Sequence, residues 1–180
     1  MAWNLLKLVP MTPNKLSAYA HQVLDTHHAL LHRELPRLSQ AFATAPETLR
    51  RPWDQLARTM EMHLMKEEEI LFPYIRALAA AAEQGTPPPP NMFGTVMNPI
   101  RMMEAEHQSA GNELEIVRAL THNFTVPADG CATYRVCFEE LSAFDRDLRL
   151  HIHLENNILF PKALELESAL VGAPVARRGR

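Results

Sequence analysis

An ungapped internal repeat constrains this chain more than any other feature. The run His63-Leu64-Met65-Lys66-Glu67-Glu68-Glu69-Ile70-Leu71-Phe72-Pro73 returns 88 residues later as His151-Ile152-His153-Leu154-Glu155-Asn156-Asn157-Ile158-Leu159-Phe160-Pro161. Upstream apolar positions keep the same offset, Leu56 with Phe144 and Met60 with Leu148. A weaker echo at an offset of 79 pairs Leu24, His28, Glu34 and Leu35 with Met103, His107, Glu113 and Leu114. The pattern is that of a duplicated helix pair, each copy offering one His and then one His-x-x-x-Glu.

Periodicity and punctuation predict four helices. Apolar residues make up 47% of the chain and only six residues are glycine, so most of it can be helical. The first helix follows Pro13 through Leu16, Val23, Leu24, His28, Leu31, Leu35 and Leu38, with Pro36 placed to bend or break it. It ends before Thr44–Thr48. The second opens near Pro52 and closes at Gly85. A loop carrying Pro87 to Pro90 and Gly94 follows, and Asn98-Pro99 starts a third helix that reaches about Asn123. Pro127–Gly130 introduces the fourth, which runs to about Leu170. The expectation is an all-α, antiparallel up-down-up-down four-helix bundle, one domain over 1–170 with a disordered tail at 171–180. Loop positions support the topology. The midpoint between His28 and His63 falls in Thr44–Thr48, that between His63 and His107 at Gly85, and that between His107 and His151 in Pro127–Gly130. All four histidines can therefore share one layer. If the third helix starts at Asn98, the proline loop must run back along the bundle.

Composition narrows the function. A formal net charge of −3 with no concentrated basic face points away from nucleic acid and anionic membranes, leaving Arg177, Arg178 and Arg180 as a solvated tail. Cys131 and Cys137 fit no disulfide framework or common metal motif, and read as buried or idle thiols. The stretch Met1–Pro13, broken by Lys7 and two prolines, is a poor signal peptide and cannot span a bilayer. A cytoplasmic location is the expectation.

In His-x-x-x-Glu the two side chains lie one turn apart on one helix face. Leu56, Met60 and Ile70 continue that face, as do Phe144, Leu148 and Ile158, so both pairs point inward. His28 lies in register with Leu24, Leu31 and Leu35, and His107 with Met103, Ala110 and Leu114. Four histidines and two carboxylates on inward faces would be costly if unpaired. A dinuclear metal centre satisfies His28, His63, His107, His151, Glu67 and Glu155 together. Each metal would take two histidines, with Glu67 and Glu155 bridging. Nitrogen and carboxylate donors without thiolate suit iron first, manganese or zinc second. Positions remain open for an oxo or hydroxo bridge and a small ligand such as dioxygen, nitric oxide or peroxide.

Other residues take plainer readings. His27 sits on a neighbouring stripe, His153 is exposed, and His21, His32 and His122 are surface residues. Glu68, Glu69, Asn156 and Asn157 form a solvated face. Glu106 is a candidate acceptor for an imidazole N–H. Met60, Met62, Met65, Met97, Met102 and Met103 are assigned to core packing.

The runs around His28, His63–Pro73, Glu104-Ala105-Glu106-His107 and His151–Asn157 resemble the hemerythrin-like (HHE cation-binding) family. Within it they most resemble the repair-of-iron-centres di-iron proteins. The resemblance covers Leu24 to Pro161. It implies one iron on His28 and His151, the other on His63 and His107, and bridging Glu67 and Glu155. It also implies a role in oxidative or nitrosative stress and in repair of iron–sulfur centres, with iron donation to apo iron–sulfur proteins as one form of that role. The alternatives are a di-iron enzyme reducing nitric oxide or peroxide, and an oxygen or nitric-oxide sensor or store. Two departures stand out. Oxygen-carrying hemerythrins place a second histidine one turn after the third-helix ligand, where this chain has Gly111. The N-terminal module with a vicinal cysteine pair, usual in the iron-repair proteins, is expected to be missing.

Overall fold

The computed structural model describes residues 11–172. Four long helices, α1 (13–42), α2 (47–84), α3 (Met97–Leu120) and α4 (132–172), run up-down-up-down as an antiparallel bundle. Among the described residues all regular structure is helical. The α1 helix packs on α2 and α4, and α2 packs on α3 and α4, which encloses one long interior. None of the described helices is long and apolar enough to cross a membrane. The expectations for Met1–Pro10 and for the tail after Gly172 concern residues outside the described stretch.

The punctuation acts differently at several points from the way it reads in sequence. Pro36 neither breaks nor ends α1, whose α-helical part Ala29–Phe42 carries straight through it. The α2 helix starts at Glu47 behind Pro46, so Pro52 lies inside it rather than at its first turn. Asn98 does not cap α3. Its Nδ2 donates to the Phe93 carbonyl at 2.7 Å, while the Val96 N–H goes to Glu167 on α4. The α3 helix stops at Leu120 because His122, Asn123 and Phe124 turn left-handed (φ 48, 57 and 59°). Gly85 (φ 62°) closes α2, and the proline loop does run back along the bundle. Asn91 Nδ2 reaches the Tyr74 hydroxyl at 2.9 Å, and Tyr74 and Thr95 both donate to the buried Glu167 carboxylate. Eleven residues separate Tyr74 from Gly85, a retreat of roughly 16 Å at ~1.5 Å per residue.

Three stretches wind as π-helix: Leu24–His28, Glu67–Leu71 and Glu155–Leu159. Each holds the extra residue of a π-bulge, and each contains one of the six inward polar residues. The bulge also moves the buried stripe on by one position. Beyond Glu67 it passes through Leu71 and Phe72, and Ile70, expected inside, is half exposed at 50%. Met62, Met65 and Met102, expected in the core, are exposed too, since Met60, His63 and Met103 occupy the inward positions of their turns.

The core comes in two parts. One gathers Leu31, Leu35, Leu38, Trp53, Leu56, Met60, Leu114, Phe144 and Leu148; the other gathers Leu16, Ala20, Val23, Phe72, Ile75, Leu78, Ile100, Leu159 and Phe160. The histidine and glutamate layer lies between them. Trp53 anchors the first part. It is fully buried, stacked on Phe42 at 4.9 Å, edge-on to Phe144 at 5.4 Å, and its Nε1 donates to Ser39 Oγ at 2.9 Å. Replacing Trp53 by Ala removes all three contacts and opens a cavity, so chemical denaturation should show a loss of ~3–5 kcal/mol.

Candidate metal centre

Six side chains meet in the layer between the two core parts, and each is buried: His28, His63, Glu67, His107, His151 and Glu155. They form two groups, each able to hold a metal ion, His28–Glu67–His151–Glu155 and His63–Glu67–His107–Glu155. Within each group one donor atom per residue lies within 4.8 Å of all the others. Both carboxylates belong to both groups. Contacts across the layer are short: His28 Nε2 to Glu67 Oε2 3.3 Å, His63 Nε2 to Glu67 Oε2 3.2 Å, His107 Nε2 to Glu155 Oε2 3.1 Å and His151 Nε2 to Glu155 Oε1 2.7 Å.

His28 Nε2, both Glu67 oxygens and Glu155 Oε2 are buried and have no hydrogen-bond partner of acceptable geometry. Buried polar atoms without partners are rare because each costs about 1–3 kcal/mol. Here four of them converge on one place, and all are lone-pair donors when the imidazole is neutral. Hard oxygen and borderline nitrogen donors of this kind suit a divalent or trivalent first-row ion.

The outer nitrogens of three of the four imidazoles are held from behind, and that of His151 has no hydrogen-bond partner. His28 Nδ1 pairs with Glu68 Oε1 at 2.9 Å, His63 Nδ1 with Glu106 Oε2 at 3.1 Å and His107 Nδ1 with Asn156 Oδ1 at 2.8 Å. Such partners fix the ring tautomer and aim the other nitrogen inward. Glu106 takes this place as the sequence suggests, with Lys66 on its other oxygen. Glu68 and Asn156 correct their assignment to a solvated face. Each follows a shared carboxylate, and the π-bulge swings it onto the histidine of the neighbouring helix. Glu69 and Asn157 are exposed. His32, exposed as expected, also bonds Glu68 Oε1, at 2.7 Å. His27, on the neighbouring stripe, is buried as well. It pairs with Asp147 at 2.9 Å and stacks flat on His151 at 5.8 Å. Tyr19 was invisible to the motif. Its buried hydroxyl has no partner, and burial together with the charge of Glu155 pushes the phenol up to about 12. Phe72 and Phe160 cover the rings of His28 and His107 at 5.3 and 6.0 Å. Cys131 is exposed and Cys137 half buried, both well before His151 and Glu155 along the chain.

Proton affinities follow from this crowding. Burial pulls His28 and His63 down, but hydrogen bonds and charge from Glu67 and Glu155, with Glu106 added at His63, outweigh it and hold both at about 10. Burial would raise Glu155, yet the charge of His151 and bonds from His107, His151 and His28 keep it well below the ordinary carboxylate range. Glu67 is lowered too, against its burial and the repulsion of Glu155, by His63 and His28.

A buried four-histidine, two-carboxylate cluster across four antiparallel helices defines a cation-binding bundle. The chain belongs to the hemerythrin family: the model of the hemerythrin HHE cation binding domain matches residues 20–163. Among curated relatives it is similar to the iron-sulfur cluster repair protein YtfE of Musicola paradisiaca, 38% identical over 168 residues, which is 92% of this chain and 70% of the relative. It is also similar to YtfE of Yersinia pseudotuberculosis, at 36% over 164 residues (88% and 68%). A probable iron-sulfur cluster repair protein of Haemophilus influenzae is 40% identical over 111 residues, and there the match spans 62% of this chain but only 44% of the relative.

Proposed function

We propose that this chain, as one domain over 1–170, holds two iron ions on His28, His63, His107, His151, Glu67 and Glu155. We further propose that it serves in repair of iron–sulfur centres under oxidative and nitrosative stress, in the cytoplasm, binding nitric oxide or oxygen species and donating iron to apo iron–sulfur proteins. One observation carries the reading. Two metal-holding groups share both of their carboxylates, and four atoms that face the shared space, His28 Nε2, both Glu67 oxygens and Glu155 Oε2, have no hydrogen-bond partner. The names of the relatives support the repair role.

A bound iron pair supplies open coordination positions and a change of oxidation state. The protein's own residues supply the rest. Glu67 and Glu155 carry the negative charge common to both groups and so keep two cations close together. Glu68, Glu106 and Asn156 hold three imidazoles in one orientation each. Phe72 and Phe160 close the layer on the side of the second core part and keep bulk water from it.

The test is metal analysis of protein made with ample iron and purified without oxygen, followed by incubation with an apo iron–sulfur protein. Near two irons per chain, and cluster absorbance appearing in the acceptor, are expected. A well-folded chain without metal sinks the reading of the site. A loaded chain from which no iron reaches any acceptor removes the donor role. Consumption of nitric oxide or peroxide well beyond the iron present replaces that role with an enzymatic one.

A further inference from the structure

The duplicated halves can be laid on each other around the metal layer, and they differ on one side. In the first half His28 on α1 is covered by Phe72 and backed by Glu68, and Glu68 is in turn covered by His32. At the same offsets the second half has His107, covered by Phe160 and backed by Asn156. The place of His32 falls to Gly111. A Cβ added at Gly111 meets nothing within 4 Å. The surface there opens into a cleft of about 390 Å³ between α3 and α4, lined by His107, Gln108, Gly111, Arg149, Asn156 and Asn157. The outer side of His28 is closed by the Glu68–His32 pair.

The backing also differs. His28 and His63 each bond a carboxylate and His107 a neutral amide, while the buried Nδ1 of His151 has no partner and its ring lies stacked against His27. A charge-assisted bond is roughly twice as strong as a neutral one and makes the imidazole the better ligand. Of the two corresponding histidines, His107 is thus less firmly backed than His28, and it is the one beside open space.

We infer that the ion of the His63–Glu67–His107–Glu155 group is the exchangeable one, and that it enters and leaves through the cleft beside His107 that Gly111 keeps open. The inference rests on the iron-holding reading above and adds which ion moves and by what route. His107 turns outward toward the cleft as the ion departs. Asn156 releases its Nδ1 more readily than a carboxylate would. The His28–Glu67–His151–Glu155 ion, behind Glu68, His32 and Phe72, stays.

The experiment loads the whole chain with ferrous iron without oxygen and mixes it with excess chromogenic ferrous chelator. Two release phases of one ion per chain are expected. Gly111→Leu fills the cleft without adding a metal ligand, and as a replacement of a helical glycine it does not weaken α3. It should slow the faster phase by about tenfold or more, with the slower phase and total iron unchanged, because the entry path alone is altered. Asn156→Asp, which gives His107 a carboxylate, should slow the same phase. His32→Leu should leave that phase unchanged. Normal iron content with both phases unaltered in Gly111→Leu overturns the route, and so does slowing of the slower phase instead. A wild-type chain that binds no iron overturns the proposed function, and this inference with it.

Discussion

Glu67→Ala is expected to empty both metal sites, whereas His28→Ala is expected to empty only one. Glu67 belongs to both ligand groups and His28 to a single one, so removing the shared carboxylate takes a ligand and a neutralising charge from each ion at once. Two cations side by side repel, and Glu155 alone would then face both. Iron per chain should fall from near two to well below one in Glu67→Ala and to about one in His28→Ala, because loss of a protein ligand leaves an incomplete site. Metal analysis on anaerobically loaded variants reads the difference directly. Glu67→Gln, which keeps the volume, separates charge from packing; it should lose metal as Glu67→Ala does without the cavity that Glu67→Ala leaves. Equal retention of two ions in all three variants would falsify the shared-carboxylate geometry.

Metal affinity should climb steeply with pH, and the metal-free fold should move the other way. His28 and His63 are held at about 10 in the metal-free chain, so both carry a proton at neutral pH, while a ligating imidazole must be neutral. Filling the site at pH 7–8 should therefore release about two protons, and apparent affinity should rise by up to roughly a hundredfold per pH unit below 10. The sign for stability follows from linkage. Raised from an ordinary 6.5 to about 10, these two histidines contribute stability that is complete below 6.5 and disappears as pH rises through 10. Glu67 and Glu155, lowered from 4.5, contribute stability that is present above 4.5 and disappears as pH falls through their folded values. Metal-free protein should be most stable between about 4.5 and 6.5, and should lose melting temperature toward pH 10. Loaded protein should hold or gain over the same rise. Thermal melts of both forms across pH, with proton release measured in weak buffer, test the pair of trends. A loaded and an unloaded form that change in parallel would remove the linkage.

Much of this protein is legible in its sequence. The ungapped offset of 88 residues fixes the same face twice, and two His-x-x-x-Glu pairs facing inward demand a common partner. The loop midpoints fix an antiparallel order and put four histidines at one height. These are periodic, one-dimensional facts, and periodicity survives in a sequence. Boundaries were less secure. Pro52 and Asn98 carry end signals that tertiary contacts set aside, Asn98 because the Glu167 carboxylate on α4 already takes the Val96 amide at the start of α3.

The sequence by itself determined the bundle, the order of its helices, the six converging residues and Glu106 behind one of them. Only the tertiary structure decided where the helices loosen into π turns, since one extra residue in a turn leaves no mark on a 3.6-residue pattern. That loosening turns Ile70 outward and brings Glu68 and Asn156 onto histidines of other helices. Only the tertiary structure, too, showed His27 buried against His151 and open space above Gly111. Both depend on which side chains of different helices meet, and that is set by packing between helices rather than by spacing along one.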